Sequence, residues 1–191
     1  MTYFETPRLI LRRWRESDRA PFAAMNADPR VMEFFPATLT REESDSLVDR
    51  AEAALERQGF GTLAAELRAT GDFIGYIGLA VPSFEAHFTP CVEIGWRLAA
   101  AHWGRGYATE GARAVLDRWT GDLVSFTTAA NVRSRRVMEQ LGFTRDPAED
   151  FDHPRIPEGH PLRRHVLYRR GSVASDRRYF AIGSANRSPG R

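Results

Sequence analysis

The sequence predicts one α/β domain built on a mixed sheet with antiparallel and parallel parts. Two observations carry this. Short alternating apolar runs of strand type recur along the 191 residues, separated by stretches whose apolar positions share one helical face. Their order is strand, two or three helices, three strands, helix, strand, helix, strand, strand, which is neither an all-β nor a helix-only arrangement. The domain is expected to span residues 1–170, with a flexible tail over 171–191 that carries no clear pattern.

Taken in order, residues 7–13, P-R-L-I-L-R-R, read as an edge-like first strand. Ser17 is placed to cap a short helix, and Pro29 to open another through Phe34. Thr40 and Glu43 form a capping box before Leu47, Val48, Ala51, Ala54 and Leu55, so a helix is expected to about Gln58, stopped at Gly59. Thr62–Arg68 and Phe73–Val81, joined through A-T-G-D, make a hairpin closed by Pro82. Cys91–Leu98 is the next strand. After a glycine-flanked turn, Ala108, Ala112, Val115, Leu116 and Trp119 mark a helix face. Leu123–Thr128 is a strand and Val132–Leu141 a helix. Gly142-Phe143 begins another strand, a proline-rich excursion follows over 146–161, and R-R-H-V-L-Y-R-R is the last strand.

Composition narrows the function classes. Hydrophobic residues make up 42% and charged residues 27%, the values of an ordinary globular chain. There is no run of about 18 apolar residues to cross a membrane, and the N-terminus carries charge too early for a secretory signal. The single cysteine, Cys91, allows no intrachain disulfide and fits a reducing cytoplasm. All 27 basic residues are arginine, but 25 acidic residues are interleaved with them, so no basic stripe forms and a nucleic-acid module is disfavoured. The histidines show no metal-ligand spacing, and no metal is expected.

The stretch H-W-G-R-G-Y-A-T-E-G at residues 102–111 sets a flexible turn at the mouth of a helix, where unpaired N–H groups and partial positive charge favour an anion. A Walker-type loop requires a lysine, which this chain lacks, and the dinucleotide fingerprint requires a third glycine where Thr109 stands. The remaining reading is a cradle of N–H groups from Gly104 to Thr109 around a pyrophosphate, with Arg105 adding charge.

Four segments together, T-P-R-L-I-L-R-R, V-E-I-G-W-R-L, W-G-R-G-Y-A-T-E and N-V-R-S-R-R-V-M-E-Q-L-G-F, resemble the GNAT superfamily of acetyl-coenzyme A-dependent N-acetyltransferases, in particular the branch of ribosomal-protein alanine N-acetyltransferases. The resemblance spans residues 6–170 and implies a central mixed sheet splayed around the coenzyme and flanked by helices. The family signature Q/R-x-x-G-x-G/A aligns with Trp103 to Ala108, departing at Trp103, so the weight falls on the backbone of Gly104, Arg105, Gly106, Tyr107, Ala108 and Thr109. The resemblance further implies that backbone groups of Trp96 and Leu98 pair with the pantetheine arm in the manner of an added strand. It places Asn131 on the same arm, where a helix N-cap is a compatible role; Arg135 and Arg136 are candidates to meet coenzyme phosphates, with exposed helix arginines as their competing and commoner role.

The implied reaction is direct attack of a primary amine on acetyl-CoA in a ternary complex. The amine belongs to a protein N-terminus or a small molecule. Keeping a lysine-type amine neutral at pH 7 costs about 4.6 kcal/mol, against about 1 kcal/mol for an α-amine, so a modest base suffices for the second. Glu93 is the candidate base, with an arginine-paired strand carboxylate as its competing role. The tyrosine that many relatives use as acid is replaced by Met138, and Ser134 stands where the ribosomal branch has a serine, able to hydrogen-bond the departing sulfur. Met138 also leaves open a coenzyme-binding module without catalysis. Trp14, Phe34, Phe35 and the excursion bearing His153 and His160 are candidates for an acceptor pocket. Acceptor identity and oligomeric state, a homodimer included, are not legible.

Overall fold

A computed structural model describes residues 2–171; the expected tail lies, from residue 172 on, outside the described residues. The strands are β1 (Thr2–Glu5), β2 (Leu9–Arg12), β3 (Thr62–Leu67), β4 (Phe73–Ala80), β5 (Glu93–Leu98), β6 (Leu123–Thr128), β7 (Thr144–Arg145), β8 (Phe151–Asp152) and β9 (Arg164–Arg170). The helices are α1 (Arg19–Asn26), α2 (Arg41–Gln58), α3 (Tyr107–Leu116) and α4 (Val132–Gln140). All nine strands join one sheet in the order β1-β2-β3-β4-β5-β6-β9-β7, with β8 pairing β9. Every pairing is antiparallel except β5–β6.

Two apolar layers sandwich the sheet. On one face Leu9, Leu11, Ile77, Ile94 and Leu98 pack with Ala112, Val115 and Leu116 of α3 and Met138 of α4. On the other, Trp14, Phe22, Met25, Val48 and Ala51 gather α1 and α2. A third cluster, Phe88, Val124, Phe151 and Leu167, underlies the proline-rich excursion. Helix α3 approaches the sheet closely at Gly111, where a Cβ would run into Ile77 and Leu9.

The capping box of α2 forms as expected: Thr40 Oγ1 accepts from the Glu43 N–H at 3.2 Å, and the Glu43 carboxylate accepts from the Thr40 N–H at 2.8 Å. Other expectations are corrected. The first strand is not the sheet edge, because β1 folds back on it through the Thr6–Leu9 turn. Ser17 does not cap α1; Asp18 precedes it, its carboxylate accepting from the buried Arg12 and from the Arg15 N–H. Residues 29–37 form turns instead of a helix, since Val31 and Met32 are drawn into the α1–α2 cluster and Pro36 prevents continuation. The fifth strand starts at Glu93, not Cys91.

Candidate functional site

Strands β5 and β6 share a single register pair, Glu93 with Val124. The Val124 N–H donates to the Val92 carbonyl at 3.0 Å and Ser125 Oγ to the Ile94 carbonyl at 2.9 Å. Beyond that point the strands diverge and a cleft of about 740 Å³ opens between them. The Ala99 N–H donates to the Ile74 carbonyl at 2.9 Å. Antiparallel alternation therefore turns the backbone groups of 93, 95 and 97 toward β4, and those of 94, 96 and 98 toward the cleft. The expected pairing edge at Trp96 and Leu98 thus has the right orientation. One of its groups is already engaged, because Trp103 Nε1 donates to the Leu98 carbonyl at 2.8 Å. That bond is what the tryptophan at the departing signature position does.

The glycine turn lies at one end of this cleft. Gly104 and Gly106 have φ of +72° and +78°, a region open to glycine and strained for other residues. Gly106 precedes α3 without any side-chain cap, and its carbonyl accepts from the Glu110 N–H at 3.0 Å. The N–H groups of Tyr107, Ala108 and Thr109 in the first turn consequently have no intrahelical acceptor, and all three residues line the cleft. Arg105 does not. Its side chain is exposed outside the cleft wall, and its carbonyl accepts from Arg8 Nη1 at 2.9 Å.

Arg8 and Thr6 brace this turn, a role that sequence reading missed. Glu110 accepts from Thr6 Oγ1 at 2.6 Å, from the Arg8 N–H at 2.9 Å and from Arg8 Nε at 2.6 Å. The Arg8 guanidinium also lies over the Tyr107 ring, 4.6 Å from its centroid. Burial raises the Glu110 carboxyl, yet the bonds from Thr6 and Arg8 outweigh it and hold the group below the usual range. The signal was a charge pair about 100 residues apart, invisible without the fold.

Glu93 and Gly95 lie on the floor of the cleft. Glu93 is half-buried, and desolvation pushes its carboxyl up to about 8. It forms no ion pair among the described residues, so the arginine-paired alternative does not describe it. Ser134, half-buried in the first turn of α4, and Asn131 line the same cleft. Asn131 caps α4: its Oδ1 accepts from the Ser134 N–H at 3.2 Å while its Nδ2 donates to Thr127 Oγ1 at 2.9 Å. One lone pair and one N–H remain for a further bond. Met138 is buried at 1% exposure but touches the cleft, and Arg136 lines it, whereas Arg135 turns away to the Ala129 carbonyl and Tyr168. Cys91 is not among the lining residues.

The far side of the cleft is aromatic and cationic. Phe34 and Phe35 line it as expected, while Trp14 is core, its Nε1 bonded to the Thr62 carbonyl. His153 lines it and His160 does not; His165, from β9, stands beside His153 with ring centroids 5.0 Å apart. Desolvation, then the neighbouring His165 and Arg155, lowers His153 to about 4, and burial lowers His165 too. Three arginines that sequence reading did not single out complete the wall: Arg97, Arg133 and Arg155. Arg133 reaches from α4 to Glu33 at 2.7 Å and lies over Trp103, 4.4 Å from the ring centroid. Arg97 shares the β5 face of Glu93, so strand alternation alone would have found it.

The arrangement combines a backbone edge, a helix mouth with free N–H groups, a carboxyl of raised basicity and an aromatic, cationic far side of the same cleft. Among the described residues no helix is long and apolar enough to cross a membrane. Residues 8–144 match the family model described as an acetyltransferase (GNAT) domain. The uncharacterized protein YkkB of Bacillus subtilis is 31% identical over 147 residues, covering 74% of this chain and 84% of its own. An acetyltransferase of Agrobacterium tumefaciens superposes with a TM-score of 0.67 at 29% identity, over 89% of this chain and 97% of that one. RimL, a ribosomal L7/L12 alpha-N-protein acetyltransferase solved with coenzyme A, superposes with a TM-score of 0.71 at 16% identity, over 92% of this chain and 100% of its own.

Proposed function

The chain belongs to the GNAT acetyltransferase family, and from that premise we propose that it transfers the acetyl group of acetyl-CoA to a primary amine by direct attack in a ternary complex. The observation that carries the reading is the single-bridge opening between β5 and β6, with the helix mouth at one end and Glu93 on its floor. Acetyl-CoA supplies an activated thioester. The residues that would hold it are Gly104, Gly106, Tyr107, Ala108 and Thr109 at the pyrophosphate, through N–H groups at a helix N-terminus. Trp96 and the Leu98 N–H would pair with the pantetheine arm, with Asn131 and Arg136 on the opposite wall. Arg105 contributes through its backbone alone, given where its side chain lies.

Glu93 takes the proton from the incoming ammonium. A carboxyl with a pKa of about 8 is matched to an α-amine of about 7.7–8.0, so the transfer is close to balanced. Ser134 donates a hydrogen bond toward the departing sulfur, and a thiol of pKa about 8.5 needs little more. The acceptor is a protein N-terminal α-amine or a small-molecule amine, and the likeness to RimL is compatible with either.

The test is coenzyme A release from acetyl-CoA with a panel of peptides and small amines, read by thiol titration and mass spectrometry. We expect acetylated product with at least one α-amine acceptor. Tight coenzyme binding with no turnover on any acceptor would make the chain a binding module, a reading to which the buried Met138 lends its only support.

A further inference from the structure

We propose that the acceptor carries an anionic oxygen group, carboxylate or phosphate in class, and that Arg97 is the side chain that recognises it. The inference rests on the amine-acetylation reading of the cleft. Glu93, Gly95 and Arg97 point from one face of β5, and Glu93 and Arg97 are four residues apart, ~13 Å along the strand. An amine at Glu93 therefore places the remainder of its molecule along the line to Arg97.

The guanidinium is held for recognition. Its Nη1 donates to Asn26 Oδ1 at 2.8 Å, and the fully buried Asn26 is itself fixed by donating to Ser44 Oγ at 2.8 Å. Its plane lies over Phe35, 4.1 Å from the ring centroid, with Tyr76 at 5.6 Å. The two rings hold the cation in place without using its N–H groups, which stay available for an oxyanion. Of the five donors one is used, Nε is buried without an acceptor, and no carboxylate lies within ion-pair reach among the described residues.

The surrounding charge points the same way. Arg133 is met by Glu33, and Arg155 is engaged by the Ser83 carbonyl and hydroxyl. Glu93 is the one carboxyl lining the cleft, and burial keeps it protonated near neutral pH, while His153 and His165 stay neutral. A polyamine or another polycation would bring positive charge to a wall with no anion to receive it.

The test uses the full chain loaded with coenzyme A. N-acetylated di- and tripeptides ending in a free carboxylate, the matching C-terminal phosphonates and the matching neutral amides are titrated by calorimetry. We expect the best anionic probe to bind at least tenfold tighter than its amide, with the carboxylate and phosphonate arms separating the two sources of charge. In Arg97→Leu that ratio should collapse toward one, and in Arg97→Lys it should fall less, with coenzyme affinity reporting that both variants fold. A merely structural role would weaken both probes together and leave the ratio unmoved. Equal binding of anion and amide, binding of neither, or a preference that survives Arg97→Leu overturns the proposal. The corresponding free amines are assayed for turnover in parallel: an intact binding ratio without acetylation counts against the transfer reading alone.

Discussion

At the scale of the residue, the proposed chemistry rests on Glu93. Its pKa of about 8 makes the resting group an acid at pH 7, so the rate should rise with pH through about 8 as the carboxylate forms. Glu93→Gln should lower kcat/KM by about 100-fold at pH 8, measured by thiol release. A stability signature accompanies this and does not depend on turnover. The folded pKa lies above the ordinary 4.5, so between about 4.5 and 8 the unfolded chain has lost a proton that the folded chain keeps. Stability therefore declines as pH rises through that window. Glu93→Gln should remove this decline, its melting temperature gaining on wild type from pH 5 to pH 8; an unchanged slope would count against burial as the cause. The candidacy of Glu93 was legible from its place in V-E-I-G-W-R-L, but its raised pKa was not. Desolvation comes from walls contributed by β6, α4 and the excursion, which no local pattern assembles.

At the scale of the element, the helix mouth of α3 depends on a turn and on its brace. Gly106→Pro cannot keep φ near +78°, since proline is fixed near −65° and also lacks the N–H. We expect coenzyme A affinity to fall by at least about 100-fold, two factors of ten being ~2.7 kcal/mol. Arg8→Ala removes the bonds to Glu110 and the Arg105 carbonyl and the stacking on Tyr107. It should weaken coenzyme A about three- to tenfold, or roughly 1 kcal/mol, because half-exposed charge pairs contribute little beyond position. Calorimetric titration of coenzyme A checks both, and undiminished affinity in Gly106→Pro would sink the pyrophosphate assignment. The elements were largely readable, from the capping box of α2, the glycine turn and the hairpin of β3 and β4. The failures share one physical reason. The helix expected over 29–34 and the cap expected at Ser17 both follow local propensity, and both yield to tertiary demands: burial of Val31 and Met32, and recruitment of Asp18 by Arg12.

At the scale of the whole molecule, a buried charge cluster ties β2 to β3 and to the start of α1. Arg12, at 3% exposure, binds Asp18 at 2.7 and 2.9 Å and Glu66 at 2.7 Å. Asp18→Asn leaves part of the Arg12 charge unmatched and should cost about 3 kcal/mol, roughly 6–12 °C in melting temperature, as calorimetry would show. A loss within 1 °C would mean the pair is dispensable. Nothing in L-R-R-W-R-E-S-D distinguishes the arginine that goes inside from its exposed neighbours; only the assembled sheet does. The same scale gives the single β5–β6 bridge a meaning apart from chemistry. It divides the nine strands into a block of five and a block of four, joined by one backbone bridge, by the Arg133–Glu33 pair and by the common core in which Leu123, Met138 and Val166 gather with Ile94 and Leu98. On the proposed function, a pantetheine arm laid in that opening would supply strand contacts that β5 and β6 do not make with each other, so coenzyme A should raise the melting temperature as well as fill the cleft.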